Sequence, residues 1–179
     1  MRNLEYFLTP PLKARRITPG DLDDLTTLYQ TPLVFKTLGG EYSRKEVILL
    51  LEKHLNHWDV HNFGYYVFED NQVGTFLGRG GLQYCKINGK NEVEVGYAFM
   101  PEVWNKGYAT QIVKELLKIG FEELKLESIV GFTLVENEAS KRVLKKNGFI
   151  LEKPIIYKGF PHDLYRITFC QWKKAQENL

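Results

Sequence analysis

The stretch that most strongly indicates the fold reads Pro101-Glu102-Val103-Trp104-Asn105-Lys106-Gly107-Tyr108-Ala109-Thr110. It follows a β-branched and aromatic run and precedes a long amphipathic segment, so it predicts a turn between a strand and a helix. The first amides of a helix lack intrahelical partners and lie at the positive end of its dipole, which suits an anion. Gly107 and Ala109 lack bulk beside those amides, and Lys106 adds positive charge. The stretch therefore indicates a pyrophosphate site. Helix capping without a ligand stays open as the alternative, because short glycine motifs are weakly specific.

This glycine turn matches neither of two common nucleotide-binding motifs. A Walker loop needs Gly-Lys-Ser/Thr after four spacer residues, and a dinucleotide fingerprint needs a glycine spacing that is missing from this sequence. The sequence therefore does not indicate a Walker-type nucleotide site or a dinucleotide site at this turn.

A second motif follows about thirty residues later, as Asn137-Glu138-Ala139-Ser140-Lys141-Arg142-Val143-Leu144-Lys145-Lys146-Asn147-Gly148-Phe149. Asn137 or a neighbour is the predicted N-cap of a helix over 138–147, and Ser140 offers a hydroxyl on its first turn. Gly148 is the predicted residue that ends the helix. Capping explains Asn137 and Gly148 alone, but it does not explain the whole combination.

The remaining pattern predicts a single domain over residues 1–179 with a mixed α/β (α+β) fold. Ser43 and Glu46 form a capping box that begins a helix through about Val60. Asn88-Gly89 predicts a hairpin turn. The predicted strands are Leu12–Ile17, Tyr65–Glu69, Val73–Leu77, Leu82–Ile87, Glu92–Met100, Ser128–Val135 and two near 149–157 and 164–171, and further helices are predicted over about 20–30 and 108–124.

Composition excludes several classes of protein. With 179 residues, of which 44% are hydrophobic, the chain can bury one core. Its net charge of +2 comes from mixed acidic and basic residues, so no concentrated basic face for nucleic acid is expected. No apolar run reaches the ~20 residues that span a bilayer, and Met1–Pro11 lacks a secretory signal. We therefore expect a cytoplasmic protein, with Cys85 and Cys170 as two reduced core thiols.

Together, the two motifs resemble the GNAT superfamily of N-acetyltransferases, over about residues 12–172. The closest branch is that of the ribosomal-protein (RimJ/RimL-like) acetyltransferases. The stretches that carry the resemblance are Trp104–Thr110, Asn137-x-x-Ser140 and Lys146–Phe149, supported by Arg15–Leu22, Phe76–Leu82 and Glu94–Tyr97. The resemblance implies a GNAT-like three-layer fold with a splayed, mostly antiparallel central sheet flanked by helices.

The resemblance also implies acetyl-CoA (coenzyme A) as the cofactor, held in the gap after the fourth strand. The backbone of Ala98, Phe99 and Met100 would pair with the pantetheine arm. Asn137 and Ser140 would meet the thioester end or the pantetheine. The amides expected at the pyrophosphate are those of Asn105, Lys106, Gly107, Tyr108, Ala109 and Thr110.

The expected reaction is direct transfer of the acetyl group to a primary amine, with a protein or peptide N-terminus as the acceptor. An α-amino group has a pKa near ~8, so a base is useful at neutral pH. We expect Glu94 to be that base, acting through a water, whereas Glu92 on the same strand face is expected to be solvated. A backbone N–H near Phe99 or Met100 would stabilise the oxyanion.

Some GNAT members place a tyrosine acid seven residues after the asparagine of the second motif. That position is Leu144 in this sequence. The acid is therefore absent here or supplied by another group, for which Ser140 is the candidate.

Alternatives remain for the acceptor and for the class of protein. A small-molecule amine (a polyamine, an antibiotic or an amino acid) would also be a suitable acceptor, and a non-catalytic acyl-CoA-binding module would share the phosphate turn. His54, His57 and His61 have the spacing i, i+3 and i+7. This spacing can bind zinc, but we expect pocket-lining side chains and no metal. The sequence is also compatible with an isologous homodimer.

Overall fold

A computed structural model of the protein describes residues 3–177. The strands within these residues are β1 (Tyr6–Thr9), β2 (Leu12–Arg16), β3 (Tyr65–Asp70), β4 (Phe76–Ile87), β5 (Lys90–Phe99), β6 (Ser128–Leu134), β7 (Ile150–Tyr157) and β8 (Phe160–Thr168). The helices are α1 (Leu22–Gln30), α2 (Pro32–Leu38), α3 (Arg44–His61), α4 (Tyr108–Lys118), α5 (Glu138–Lys146) and α6 (Phe169–Glu177). Short 3₁₀ turns at Pro19–Asp21 and Pro101–Val103 precede α1 and α4, and a π-helical turn over Ile119–Glu123 extends α4. No helix within residues 3–177 combines the length and the apolar character that a bilayer span needs.

The strands follow the order β1-β2-β3-β4-β5-β6-β8-β7. β5 and β6 are parallel, with Glu94 opposite Val130. The pairs β1–β2, β2–β3, β3–β4, β6–β8 and β7–β8 are antiparallel. This mixed, mostly antiparallel sheet with its helices confirms the predicted fold class.

The chain divides into two compact units. The first consists of the residues up to Gln83 together with Gly96–Ala109, and the second of Tyr84–Val95 together with the chain from Thr110 onward. The first unit therefore contains β1 to β3, α1 to α3 and the end of β5, and the second contains β6 to β8 and most of α4.

The core of the first unit is built around the end of α3. The Ser43 side chain accepts a hydrogen bond from the Glu46 amide and the Glu46 carboxylate accepts one from the Ser43 amide, which confirms the predicted capping box. At the other end of the helix, Trp58 is buried and its indole Nε1 donates to the carbonyl oxygen of Tyr65 at 2.7 Å. The Trp58 ring also meets Tyr66 edge to face, with centroids 5.3 Å apart. These contacts fix α3 against β3.

The prediction of two separate strands, Val73–Leu77 and Leu82–Ile87, is wrong. Strand β4 runs without interruption through the glycines. A Cβ on Gly78 would lie 2.3 Å from the carbonyl oxygen of Ala98, and one on Gly80 would lie 2.4 Å from that of Gly96. The glycines are therefore needed because the β5 backbone approaches closely, not because the chain turns.

The second unit contains a predicted hairpin and an unpredicted link between helices. Asn88 and Gly89 both have positive φ, at 50° and 78°, which confirms the Asn-Gly turn between β4 and β5. The Asn147 side-chain amide donates to the carbonyl oxygens of Thr110 at 3.3 Å and Val143 at 2.9 Å. Asn147 thereby connects the end of α5 to the first turn of α4.

The chain ends differently from the predicted strand over 164–171. Strand β8 stops at Thr168, whose hydroxyl accepts from the Gln171 amide at 3.3 Å while its own amide donates to the Gln171 side chain at 2.9 Å. This capping box begins α6. Cys170 is exposed on that helix, so the expectation that both cysteines lie in the core is wrong for Cys170. Neither cysteine forms a disulfide within residues 3–177, and Cys85 is partly buried.

Candidate active site

The predicted phosphate turn is open to solvent in the first unit. After the 3₁₀ turn at Pro101–Val103, the residues Trp104–Gly107 are exposed, and α4 begins at Tyr108. Asn105 and Gly107 have left-handed φ values of 61° and 79°. Two left-handed residues in this short turn reverse the chain just before the helix starts.

The amides of this turn are available to a ligand. In the part of the chain that the structure describes, the amides of Asn105, Lys106 and Gly107 are not donors in the backbone hydrogen bonds of turns, loops and caps. A Cβ placed on Gly107 would meet nothing within 4 Å. The turn thus presents unobstructed N–H groups at the head of a helix, which fits the diphosphate of coenzyme A.

At the end of strand β5, the backbone groups of Phe99 and Met100 already form hydrogen bonds within the protein. The indole Nε1 of Trp104 donates to the carbonyl oxygen of Phe99 at 2.8 Å, and the Met100 amide donates to the carbonyl oxygen of Leu77, also at 2.8 Å. The Ala98 side chain packs with Leu28 in a buried cluster. The predicted pantetheine and oxyanion roles of Ala98, Phe99 and Met100 stay predictions, and a Met100 N–H that served an oxyanion would first have to leave Leu77.

The second motif lies in the second unit as a capped helix. Asn137 is the N-cap of α5, and its Oδ1 accepts from the Ser140 amide at 3.1 Å. Ser140 is partly buried on the first turn. Because capping uses the Asn137 oxygen, its side-chain NH₂ is the group that would reach toward a ligand.

Leu144 occupies the position at which some GNAT members place a tyrosine acid. Its side chain is 2% exposed, and a Cβ on Gly131 would lie 2.7 Å from the Leu144 Cδ2. Gly131 therefore makes room for Leu144 in the core. The position serves packing here, and it holds no group that can donate a proton.

The two candidate carboxylates of β5 lie in different environments. Glu92 accepts two hydrogen bonds from Arg166, at 2.7 and 2.9 Å, so the expectation of a solvated Glu92 is wrong. Glu94 is 8% exposed and lies opposite Val130 in β6. Glu92 is thus held in an ion pair, whereas Glu94 is a buried carboxylate in the strand that leads to the phosphate turn.

The three histidines of α3 do not form one row of equivalent side chains. His54 is buried and stacks on Tyr65 with ring centroids 4.2 Å apart. His57 contacts the carbonyl oxygen of Phe63 through Nδ1 at 2.8 Å, and its ring lies 4.6 Å from that of exposed His61. No group of three potential metal ligands occurs within residues 3–177.

One charged residue in the core was not singled out from the sequence. Arg79 lies in β4, is 7% exposed, and its Nε donates to the Tyr29 hydroxyl at 2.8 Å. Its guanidinium carbon lies 5.2 Å from the centroid of the Tyr29 ring and 5.3 Å from that of Tyr65. The signal in the sequence is an arginine between two glycines inside an apolar strand, although the pattern does not show that the residue is buried.

Known proteins resemble most of the chain. The acetyltransferase (GNAT) domain family matches residues 12–150. The uncharacterised N-acetyltransferase YnaD of Bacillus subtilis is 37% identical over 83 residues, which cover 45% of this chain and 49% of YnaD. The chain thus matches about half the length of this curated relative.

Two solved structures show the same fold at low identity. Spermidine N-acetyltransferase from Vibrio cholerae, in complex with CoA and spermine, has 22% identity and a TM-score of 0.73 over 92% of this chain and 99% of that one. The ribosomal-protein-S5-alanine acetyltransferase from Vibrio fischeri has 20% identity and a TM-score of 0.73 over 93% and 98%. These two named acceptors differ, so the likeness does not single out the ribosomal-protein branch. The family match, which covers most of the chain, shows that the protein belongs to the GNAT acetyltransferase family.

Proposed function

We propose that the protein transfers the acetyl group of acetyl-CoA to a primary amine. The observation that carries the proposal is the exposed turn before α4, where the amides of Asn105, Lys106 and Gly107 donate to no backbone acceptor among residues 3–177. This turn lies inside the segment that matches the GNAT family. Free N–H groups at a helix head suit a diphosphate, and the space beside Gly107 lets one approach.

The cofactor roles follow the predicted motif residues. The amides from Asn105 to Thr110 hold the diphosphate, and Lys106 adds a positive charge at the exposed rim. The backbone at Ala98, Phe99 and Met100 binds the pantetheine, and Asn137 with Ser140 binds nearer the thioester. Bound acetyl-CoA supplies an activated acetyl thioester, so the protein itself needs no nucleophile.

The chain's own contribution to the chemistry is to hold the amine in its neutral form. Glu94 is the base that we assign, because it is a buried carboxylate in the strand that leads to the turn before α4. A protonated amine cannot attack, and a base with a matched pKa removes this barrier at neutral pH. We assign no tyrosine acid, because Leu144 fills that position; a thiol with a pKa of roughly 8.5 leaves with little help.

For the acceptor, we propose the N-terminal amine of a protein or peptide. The support is the resemblance of Arg15–Leu22, Phe76–Leu82 and Glu94–Tyr97 to the ribosomal-protein branch. A small-molecule amine is the second candidate, because the V. cholerae relative is named as a spermidine N-acetyltransferase.

The test is a two-part measurement on the full-length protein. Isothermal titration calorimetry with CoA tests cofactor binding, and mass spectrometry tests acetylation of peptides, polyamines and amino acids in the presence of acetyl-CoA. The proposal predicts CoA binding together with acetylation of at least one amine. CoA binding without any acetylated product would instead support an acyl-CoA-binding module, and no CoA binding would overturn both.

A further inference from the structure

Arg79 is a buried cation with no counter-ion among residues 3–177. None of the ion pairs within residues 3–177 includes Arg79, although its side chain is almost completely buried. Its partners are aromatic: the Tyr29 hydroxyl accepts its Nε–H, and the Tyr29 and Tyr65 rings lie within 5.3 Å of the guanidinium carbon. By contrast, Arg15, also in the first unit, is paired with Asp21 and Glu69.

The environment of Arg79 keeps it charged and leaves most of its donors unused. Guanidinium groups stay protonated in proteins. Burial lowers the pKa of Arg79, but Tyr29 and Tyr65 together outweigh it, so that the pKa is raised above its usual value. In residues 3–177, Arg79 makes its one side-chain hydrogen bond through Nε. The paired donors on Nη1 and Nη2, which match the two oxygens of a carboxylate, are left for a ligand.

A second unexplained polar group contacts the same Tyr65 ring as this cation. Neither ring nitrogen of His54 has a hydrogen-bond partner of normal geometry within residues 3–177, although the side chain is 3% exposed. Its ring stacks on Tyr65, one of the two rings that face Arg79. Burial and the charge of Arg79 lower the pKa of His54 to about 3, although Gln83 opposes the shift. His54 is therefore a neutral, buried group whose ring nitrogens have no hydrogen-bond partner among residues 3–177, on the same Tyr65 ring as a cation that has no ion-pair partner among those residues.

Arg79 and His54 in this arrangement reduce the stability of the folded protein as long as no ligand is bound. Burying an unpaired charge costs several kcal/mol, and an apolar side chain of similar volume would do the packing better. Buried polar atoms without partners are also uncommon in native proteins. Arg79 and His54 lie on different elements of the first unit. Their unused polar atoms indicate that both side chains bind a ligand.

We infer that Arg79 receives a carboxylate of the acceptor, so that the protein prefers amines that carry an acidic group over polyamines. The inference rests on the proposed function and names the substrate class of that site. The Nη donors bind the carboxylate, and the Tyr29 hydroxyl and the His54 ring are the polar groups beside it. The same chemistry is offered by a free amino acid, through its α-carboxylate, and by a peptide with an acidic residue near its N-terminus.

The inference separates this chain from a polyamine acetyltransferase. Spermidine carries only positive charges, and a buried guanidinium repels a cation in a poorly solvated site. An acceptor with a carboxylate gains a charge-assisted hydrogen bond in the same place. The preference is therefore expected in KM, because the carboxylate takes no part in the bond that forms and binds Arg79 equally in the ground state and in the transition state.

The first experiment uses matched acceptors with the wild-type protein and acetyl-CoA. The pairs are each free L-amino acid against its amide, Asp-Ala-Ala against Asn-Ala-Ala, and Ala-Asp-Ala against Ala-Asn-Ala, with spermidine as the cationic acceptor. We expect kcat/KM for the better carboxylate acceptor to exceed that of its carboxamide by roughly 30-fold or more. The pair that shows the difference identifies the amino acid or the peptide as the source. Equal values in all pairs, or spermidine as the best acceptor, would overturn the inference.

The second experiment uses Arg79→Met and Arg79→Lys. Met removes the charge with little change in volume, and we expect it to reduce the carboxylate preference below about threefold through a rise in KM. Lys keeps the charge without the paired donors, so it should retain an intermediate preference. An unchanged preference in Arg79→Met would contradict the inference.

A binding measurement separates this inference from the proposed function. The favoured carboxylate acceptor should raise the midpoint of thermal unfolding of the wild type and leave that of Arg79→Met unchanged, whether or not acetyl transfer occurs. A shift without transfer supports the carboxylate site and counts against the transferase proposal. Acetyl transfer without a preference for carboxylate acceptors supports the transferase proposal and counts against the carboxylate site. If Arg79→Met does not fold, Arg79→Lys and the wild-type pairs decide the question.

Discussion

The indole Nε1 of Trp104 donates a 2.8 Å hydrogen bond to the carbonyl oxygen of Phe99. This bond joins the exposed phosphate turn to the end of strand β5 across five residues of chain. The turn contains two left-handed residues, Asn105 and Gly107, and follows the 3₁₀ turn at Pro101–Val103. The bond therefore fixes the direction in which the amides of the turn point.

Replacement of Trp104 by Phe should weaken CoA binding without unfolding the protein. The substitution keeps an aromatic ring on a side chain that is 37% exposed but removes the donor to Phe99. Loss of a hydrogen bond of about 1 kcal/mol predicts an increase of roughly fivefold in the Kd for CoA. Calorimetry measures the change, and Tyr6→Phe, which removes a hydroxyl from an exposed ring in β1, is the control. An unchanged Kd would show that the turn is ordered without this bond.

Replacement of Gly107 by Glu should weaken CoA binding strongly. Gly107 has a φ of 79° and open space around its missing Cβ, so the new side chain costs about 1 kcal/mol of backbone strain and no steric clash. Its negative charge would lie beside the diphosphate, and we expect the Kd to rise by about two orders of magnitude.

Gly159→Glu is the matched control for the charge at Gly107. Gly159 lies in the β7–β8 hairpin, also with a left-handed φ, at 82°, and also with open space. It carries the same strain and the same added charge, and CoA affinity should stay as in the wild type. Equal CoA binding by the two variants would remove the support for the phosphate turn.

Elements with a local signal could be predicted from the sequence, and elements that depend on distant contacts could not. The Ser43 box, the Asn88-Gly89 turn and the Asn137 cap each act within a few residues, and each is present in the structure. The glycines of β4 act at a distance, because Gly80 is required by the Gly96 carbonyl in another strand. A glycine needed for a turn and a glycine needed for close strand packing look alike in sequence.

Two missed helices did carry local signals. Helix α2 begins with Pro32 at its first position and ends at Gly39, which has a left-handed φ of 87°. Helix α6 begins with the Thr168 and Gln171 box. Arg79 is different, because nothing in the run Phe76–Leu82 shows that the cation lacks a carboxylate; only the packed structure shows this.

Replacement of His54 by Phe should reduce the dependence of stability on pH. The pKa of His54 in the folded protein is lowered to about 3, chiefly by burial. Since the unfolded value is about 6.5, the unfolded chain binds the extra proton at pH 5 and the folded one does not. The contribution of His54 to stability is therefore complete above about pH 6.5 and falls as the pH drops toward 3, with a slope of up to about 1.4 kcal/mol per pH unit.

Phe at position 54 retains the ring that stacks on Tyr65 but cannot be protonated. Urea unfolding at pH 7, 6 and 5 should show a smaller loss of unfolding free energy in His54→Phe than in the wild type. His162→Asn, in the β7–β8 hairpin, is the control and should follow the wild type. Equal slopes in the wild type and His54→Phe would contradict a neutral, buried His54.

Replacement of Glu94 by Gln should lower kcat while leaving CoA affinity unchanged. Gln keeps the size of a side chain that is 8% exposed but cannot accept a proton from the amine. General-base catalysis contributes roughly 10²–10⁴-fold, so we expect a decrease of at least about 100-fold in kcat at pH 7. The loss should become smaller as the pH rises, because more of the acceptor amine is then neutral without help.

The matched control for Glu94→Gln is Glu92→Gln, two residues earlier in the same strand. Glu92 accepts hydrogen bonds from Arg166, which also contacts Glu152 and Ser128. Its loss should lower the midpoint of unfolding and leave kcat within about threefold of the wild type, because it removes an ion pair and not a base. If both variants kept full activity, the base would have to be another group or free hydroxide. If only Glu94→Gln lost activity and kept its affinity for CoA, the two carboxylates of β5 would have different roles. Glu92 would stabilise the strand through Arg166, and Glu94 would act on the amine.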